Sequence, residues 1–134
     1  MMRSTKTKFV GEYPINASSR LLYPYLSTAS GLAEWFCDDV KVEVNKVFNF
    51  VWDGSNHYAE MTGFRTNRSV RFNFLDDNRQ HVSDPSYIDF SIESSELTQE
   101  QFLKVVDYSD EEDQEELAEL WEHLMQNLRE IIGG

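Results

Sequence analysis

The sequence predicts an α+β fold in which a curved antiparallel sheet of about seven strands wraps around one long C-terminal helix, with two short helices between the first and second strands. Between residues 40 and 108, apolar and polar residues alternate with period two, which is typical of half-buried strands. Residues 109–132 carry apolar residues at spacings of three and four, which is typical of an amphipathic helix. A meander of antiparallel strands needs a cover on one face. The long helix is the one predicted element large enough to provide it.

The segment before residue 40 predicts one strand and two short helices. Residues 6–15 form the strand, in which Gly11 indicates a bulge or the close approach of another backbone. Residues 16–28 begin with helix-starting serines but contain Pro24, so this helix is expected to be short or kinked. Ser30 is the expected N-cap of the second helix, which buries Leu32, Trp35 and Phe36.

The period-two region divides into strands at turn signals such as Asn45-Lys46 and Asp53-Gly54. A polar loop spans residues 76–85. The predicted strands cover residues 40–44, 47–52, 57–64, 70–74, 87–92 and 101–108.

The long helix is predicted to begin at Ser109, which forms a capping box with Glu112, and to end at Gly133 and Gly134. A charge on its buried face would be costly, so Leu124→Asp is expected to unfold the domain. The predicted buried face comprises Leu117, Leu120, Trp121, Leu124, Leu128 and Ile131.

Composition limits the classes of partner. A chain of 134 residues predicts a single domain over residues 1–134. The N-terminal residues lack an apolar signal segment and the only cysteine is Cys37, so a cytoplasmic protein is expected. The net charge is −12, and residues 81–134 hold 15 acids against 2 bases. This charge argues against nucleic acid and anionic membranes as main partners, and leaves a solvated acidic face or a docking surface for a basic partner. No apolar run is long enough for membrane insertion, so none is expected.

The sequence shows no catalytic or metal-binding pattern. His57, His81 and His123 fall in different predicted elements, so neither a metal nor a cofactor is expected. Cys37 has no activating residue near it in sequence, which favours a buried structural thiol. Four arginines, Arg65, Arg68, Arg71 and Arg79, fit a solvated sheet face or a grip on a ligand carboxylate.

Aromatic and apolar side chains are the candidates for contact with a ligand. Each of them also suits an ordinary core, which leaves packing as the alternative role. Among them, Trp52, Tyr58 and Trp121 combine an apolar body with a polar tip that needs a partner. The candidate ligand-binding residues are Trp35, Phe48, Phe50, Trp52, Tyr58, Phe72, Phe74, Phe90, Trp121 and Leu124.

The chain resembles the START-like / Bet v 1-like (SRPBCC, helix-grip) superfamily, in the branch similar to homologues of the Hsp90 ATPase activator. It is most similar there to single-domain proteins of Bacteroidetes type. The matching motifs are Gly-Leu-Ala-Glu-Trp-Phe at 31–36, Val-Val-Asp-Tyr at 105–108, and Leu120-Trp121 followed by Leu124, Leu128 and Gly133. The resemblance implies a cavity between sheet and long helix.

Three functions agree with this resemblance. The first is non-enzymatic binding of a small hydrophobic or amphipathic ligand in that cavity. The second is a cochaperone-like module that contacts a protein partner or a second copy of the chain, although the N-terminal domain of eukaryotic Hsp90 activators has no counterpart here. The third, a cyclase or hydrolase, has the least support because no acid–base pair stands out.

Overall fold

The computed structural model describes residues 6–133, which form one seven-stranded antiparallel sheet and three α-helices. The strands lie in the order β1-β7-β6-β5-β4-β3-β2, so the prediction of a curved meander around a C-terminal helix is confirmed. None of the helices in this part of the chain is long and apolar enough to cross a membrane. In chain order the elements are β1 (Thr7–Ile15), α1 (Ser19–Ser27), α2 (Ala29–Trp35), β2 (Asp39–Val42), β3 (Val47–Trp52), β4 (Ser55–Arg65), β5 (Ser69–Phe74), β6 (Tyr87–Ser94), β7 (Gln101–Ser109) and α3 (Gln114–Ile132).

The two short helices connect the two edges of the sheet. Strand β1 pairs with β7 at one edge, and β2 pairs with β3 at the other. The chain crosses from one edge to the other through α1 and α2, which contact each other. This crossing brings the C-terminal end of α2 beside both α3 and the end of β3.

The structure differs from the prediction at one helix cap and at one glycine of β1. Ser18 caps α1 as expected, and Pro24 lies inside this nine-residue helix. The N-cap of α2 is Thr28 rather than Ser30, because its hydroxyl oxygen accepts the Gly31 amide at 3.0 Å. The expectation of a bulge or a close backbone at Gly11 is wrong, since the β1–β7 register is continuous and the Tyr13 ring lies over Gly11.

Strand β2 is shorter and more exposed than predicted. It ends at Val42, and Val44 belongs to a single 3-10 turn, Val44–Lys46. Asn45 and Lys46 both have a φ of 61°, which fits a tight hairpin turn into β3 and stops the strand. The predicted strand over residues 40–44 contains Val40, Val42 and Val44, and only Val40 is buried because β2 is an edge strand.

The long helix starts later than predicted. Ser109 still belongs to β7, where it pairs with Thr7, so it cannot cap a helix. Asp113 is the N-cap instead, and its side chain accepts the amides of Glu115 and Glu116. Gly133 ends the helix in the left-handed conformation with φ 81°, as predicted, while Gly134 lies outside the described residues.

The buried face of α3 is rotated relative to the prediction. Leu117, Trp121 and Leu128 are buried as expected, but Met125 completes the face. Leu120 and Ile131 are exposed, and Leu124 is only partly buried against the core. The core stripe therefore follows spacings of four, four and three, and the neighbouring stripe is free for another contact.

Gly31 allows α1 and α2 to approach each other closely. A Cβ at this position would press on the carbonyl oxygen of Pro24 and lie 2.7 Å from the Cα of Tyr25. We expect Gly31→Ala to lower the free energy of unfolding by about 1–3 kcal/mol, because backbone atoms must shift. The matched control is Gly63→Ala, where a Cβ meets nothing within 4 Å. Urea denaturation of both variants tests this, and equal stabilities would contradict the close packing.

Candidate functional site

A cleft of about 620 Å³ opens where the C-terminal end of α2, the helix α3 and the end of the sheet meet. Its walls come from the loop after α2, from α3, and from the inward faces of β3, β6 and β7. The lining residues are Glu34, Trp35, Phe36, Cys37, Asp38, Trp52, Asp53, Ile88, Asp107, Leu120, Trp121, His123, Leu124 and Asn127.

The second stripe of α3 forms one wall of this cleft. Leu120, Leu124 and Asn127 lie three or four residues apart, so they share one side of the helix next to the core stripe. Leu120 is 48% exposed although it is a large apolar residue. Leu120 is exposed because it borders the open cleft. Its apolar side chain lies next to the core stripe, so the spacing alone predicted that it would be buried.

All 3 tryptophans of the chain line the cleft, and each indole is held by a hydrogen bond. The Trp35 indole donates to the Tyr25 carbonyl at 2.8 Å, and that of Trp52 donates to the Phe36 carbonyl at 3.1 Å. Trp121 donates to a carboxylate oxygen of Asp107 at 2.9 Å. These bonds fix the orientations of the rings, so the aromatic walls are preformed.

The space beneath the cleft is filled by aromatic rings. Phe36 contacts Phe50, Phe90 and Trp121 with ring centroids 5.4–5.9 Å apart. Phe50 also packs edge-on against Phe72 at 5.4 Å. These rings form a floor under the cleft, so the room that the structure offers lies at the open end of the sheet.

A smaller cleft of about 330 Å³ adjoins the first and shares Trp52, Ile88 and Asp107 with it. Tyr58 and Phe74 line this extension. The guanidinium of Arg79 covers the Tyr58 ring at 4.0 Å and is paired with the carboxylate of Glu43. The two clefts form one elongated surface that runs from α3 to the start of β4 and the end of β5.

Asp107 is the one buried carboxylate that lines both clefts within residues 6–133, and it is only 8% exposed. It occupies the third inward position of β7 after Leu103 and Val105, where an apolar residue would continue the pattern. Burial raises the pKa of its carboxyl, although the hydrogen bonds from Trp121 and Ser109 oppose this effect. A carboxylate in this position is costly for the folded state, and the Trp121 indole offsets only part of the cost.

The raised pKa of Asp107 makes stability depend on pH. The folded state binds this proton more tightly than the unfolded state, where the usual value is 3.8. The contribution of Asp107 to stability is therefore fully present below that value and is lost as the pH rises through the folded pKa. As the pH rises from about 4 to 7, we expect the free energy of unfolding of Asp107→Asn to increase relative to that of the parent. Urea denaturation at a series of pH values measures this difference.

Asp89→Asn is the control for overall charge, because Asp89 lies on the neighbouring strand and alternates with the inward-facing Ile88 and Phe90. A stability difference between parent and Asp107→Asn that stays constant with pH would contradict the assignment of a raised pKa to this group.

Three further kinds of group bear on the chemistry of the cleft: the Cys37 thiol, the metal-ligating side chains and the arginines. The Cys37 thiol donates to the Asp39 carbonyl at 3.2 Å, and burial raises its pKa to about 11, so it stays protonated at neutral pH. No three His, Cys, Asp or Glu side chains of residues 6–133 are grouped closely enough to hold a metal ion. Arg71 stacks on Tyr87 at 3.7 Å, and none of the four predicted arginines lines either cleft.

The structure divides the ten predicted ligand-binding residues into three groups. Trp35, Trp52, Trp121 and Leu124 line the main cleft. Tyr58 and Phe74 line the extension. The remaining four lie in the core, at 0–5% exposure: Phe48, Phe50, Phe72 and Phe90.

Several cleft residues were not predicted from the sequence, above all Phe36 and Asp107. Phe36 was predicted only as a buried helix residue, and Asp107 was noted only as part of a family motif. The alternation of Leu103, Val105 and Asp107 is the signal that places this carboxylate on the inward face.

A hollow of about 670 Å³ lies at the start of β7 and is lined by residues 14–18 and 99–101. It has no aromatic side chain in its walls and, with Glu100, one ionisable residue. The cleft beside α3 is therefore the better candidate, because ligand pockets combine apolar and aromatic walls with a few placed polar groups.

The fold and this cleft define a helix-grip domain, and the family comparison agrees. The family model for the START-like superfamily domain matches residues 2–134, so the chain belongs to the START-like superfamily. No match was found among curated proteins.

Solved structures show the same fold. The solution structure of BfR322 from Bacteroides fragilis is 31% identical, with 94% of this chain and 90% of that one covered and a TM-score of 0.60. The Aha1 dimer from Colwellia psychrerythraea is 19% identical over 94% and 96% of the two chains, with a TM-score of 0.72. Protein MLL2253 from Mesorhizobium loti is 17% identical over 95% and 97%, also with a TM-score of 0.72.

Proposed function

We propose that the protein binds a small hydrophobic or amphipathic ligand, without catalysis, in the cleft between α2, α3 and the end of the sheet. The observation that supports this most is the cleft of about 620 Å³ whose walls hold all 3 tryptophans of the chain. Small-molecule pockets typically measure about 300–1,000 Å³ and have such walls. Because the floor is filled by aromatic rings, we propose that the ligand lies at the open end of the sheet.

A binding role fits the chemistry of the cleft better than an enzymatic one. The Cys37 thiol, with a pKa of about 11, is a poor nucleophile at neutral pH. The Asp107 carboxylate accepts a hydrogen bond from the indole of Trp121. An indole N–H donates a hydrogen bond but does not transfer its proton. A buried carboxyl with a raised pKa is nevertheless a feature of catalytic acids, so Asp107 is the observation that favours a cyclase or hydrolase as the weaker alternative.

Native mass spectrometry tests the proposal. The protein, purified under mild conditions from its native cells, is expected to carry an extra mass of a few hundred daltons. Leu124→Trp places a larger side chain in the cleft and should abolish the bound mass. The control Leu97→Trp, at a position 96% exposed, should retain the bound mass. A bare protein mass for the parent, or a bound mass that survives in Leu124→Trp, would contradict binding in this cleft.

A second candidate is an interaction with a protein partner or with a second copy of the chain. Val42 and Val44 are exposed at the free edge of the sheet, and Lys46 lies over the exposed ring of Phe64 nearby. These apolar side chains suit contact with another protein surface. The fold is also that of the Aha1 protein solved as a dimer. Light scattering across a concentration series would separate a dimer from a monomer.

A further inference from the structure

We propose that the ligand of this cleft is a cationic amphiphile, in which an apolar chain or ring carries an ammonium group that lies against Asp107. This inference rests on the binding function proposed above and adds the chemical class of the ligand. It follows from the charges in the walls, the position of the buried carboxylate and the aromatic faces around it.

The ionisable walls of the cleft are almost entirely acidic. Glu34, Asp38 and Asp53 surround its mouth, and Asp77 lies on the extension. Among the described residues that line the two clefts there is no lysine or arginine, and His57 and His123 are the only basic side chains. Acidic walls at low dielectric concentrate cations and repel a ligand carboxylate.

The positions of the arginines also favour a positively charged ligand. An arginine that grips a ligand carboxylate was one expectation from the sequence. Arg71 instead alternates with the buried Val70 and Phe72, which places it on the convex face, where it stacks on Tyr87. Arg79 covers Tyr58 but is already paired with Glu43. The cleft therefore offers an anionic ligand no free guanidinium among its lining residues.

Asp107 supplies the specific partner for a cation. It lies where the two clefts meet, at 8% exposure, and its hydrogen bond from Trp121 fixes the direction of the carboxylate. A buried carboxylate gains most from an opposite charge that is brought to it. An ammonium group bound there would donate to the carboxylate in a charge-assisted hydrogen bond.

The surrounding side chains suit the rest of such a ligand. The rings of Trp52 and Trp121 lie in the same walls as Asp107, and aromatic faces attract cations. Leu120, Leu124 and Ile88 provide apolar contact for a chain or ring. The pattern of one buried charge, aromatic rings and an apolar wall matches the two parts of a cationic amphiphile.

Calorimetric titration with three matched eight-carbon probes tests this inference: octylammonium chloride, 1-octanol and sodium octanoate at about 0.15 M salt, where long-range attraction is screened. On the parent we expect octylammonium to bind at least tenfold more tightly than octanol, and octanoate to bind most weakly. Asp107→Asn should lose the preference for the amine while it still binds octanol. Asp89→Asn, which removes the same charge from the opposite face of the sheet, should keep the preference.

The possible results separate the two proposals. Equal binding of amine and alcohol by the parent, or tighter binding of octanoate, would overturn the cationic ligand and leave the binding function intact. A preference for the amine that persists in Asp107→Asn would overturn the role of this carboxylate. Absence of binding by all three probes would overturn both proposals. The comparison of amine with alcohol on the parent decides the ligand class even if Asp107→Asn fails to fold.

Discussion

Replacement of Met125 with aspartate is expected to leave the chain unfolded. Met125 is fully buried at the centre of the core stripe of α3. Loss of the thioether side chain costs about 2–5 kcal/mol, and burial of an unpaired carboxylate adds several kcal/mol more. Together these terms approach or exceed the whole stability of an ordinary domain, which is about 5–15 kcal/mol.

Leu120→Asp is the matched control, because it places the same charge on the same helix at a position that is 48% exposed. Its free energy of unfolding should stay within about 0.5 kcal/mol of the parent. Circular dichroism melting curves distinguish the two variants. A cooperative, parent-like transition for Met125→Asp would show that α3 does not cover the sheet with the face described above.

Replacement of Phe50 with alanine is expected to lower the free energy of unfolding by about 3–5 kcal/mol. Phe50 has no exposed surface and lies at the centre of the ring cluster under the cleft. Its ring centroid is 5.4 Å from those of Phe36 and Phe72 and 5.8 Å from that of Trp52. An alanine leaves a cavity that rings fixed on several elements cannot close.

Phe64→Ala removes the same side chain from a position that is 54% exposed and should change stability by less than about 0.5 kcal/mol. Urea denaturation followed by tryptophan fluorescence measures both variants. If Phe50→Ala lowers the free energy of unfolding by less than about 1 kcal/mol, the aromatic rings under the cleft are loosely packed. The ligand could then occupy the space beneath it.

The strands were predictable from sequence because their inward residues alternate strictly. The period-two spacing puts Phe48, Phe50 and Trp52 on one face, and in the structure the first two are buried and the third is partly buried against the core. Edge effects were not predictable in the same way. Val42 and Val44 fit a strand pattern, but the edge position and the turn at Asn45 leave them exposed.

The first residue of α3 and the face that this helix buries depend on tertiary context. Ser109 satisfies the capping pattern, yet its backbone pairs with β1 and leaves Asp113 to cap the helix. Met125 was missed, and Leu124 was placed deeper than it lies. The apolar positions of α3 serve both a core and a cleft, and spacing alone does not separate these two stripes. Leu124 is only partly buried against the core, so Leu124→Asp should be less damaging than Met125→Asp.

The cleft itself was the least predictable feature. Trp35, Trp52 and Trp121 come from three elements that are distant in sequence, and they meet only because α1 and α2 cross between the sheet edges. Asp107 carried a local signal, since it continues the inward alternation of β7. Its significance depends on the indole that faces it and on the acidic walls, which only the folded chain brings together.

The most direct test of ligand binding in this cleft is a nuclear magnetic resonance titration that follows the three tryptophan indole signals with octylammonium and with 1-octanol. We expect the signals of Trp52 and Trp121 to shift together as either probe is added, with the larger effect for octylammonium at Trp121. Amide signals of the hollow at residues 14–18 should stay in place. Shifts confined to that hollow, or indole signals that do not move at any probe concentration, would contradict ligand binding in the cleft beside α3.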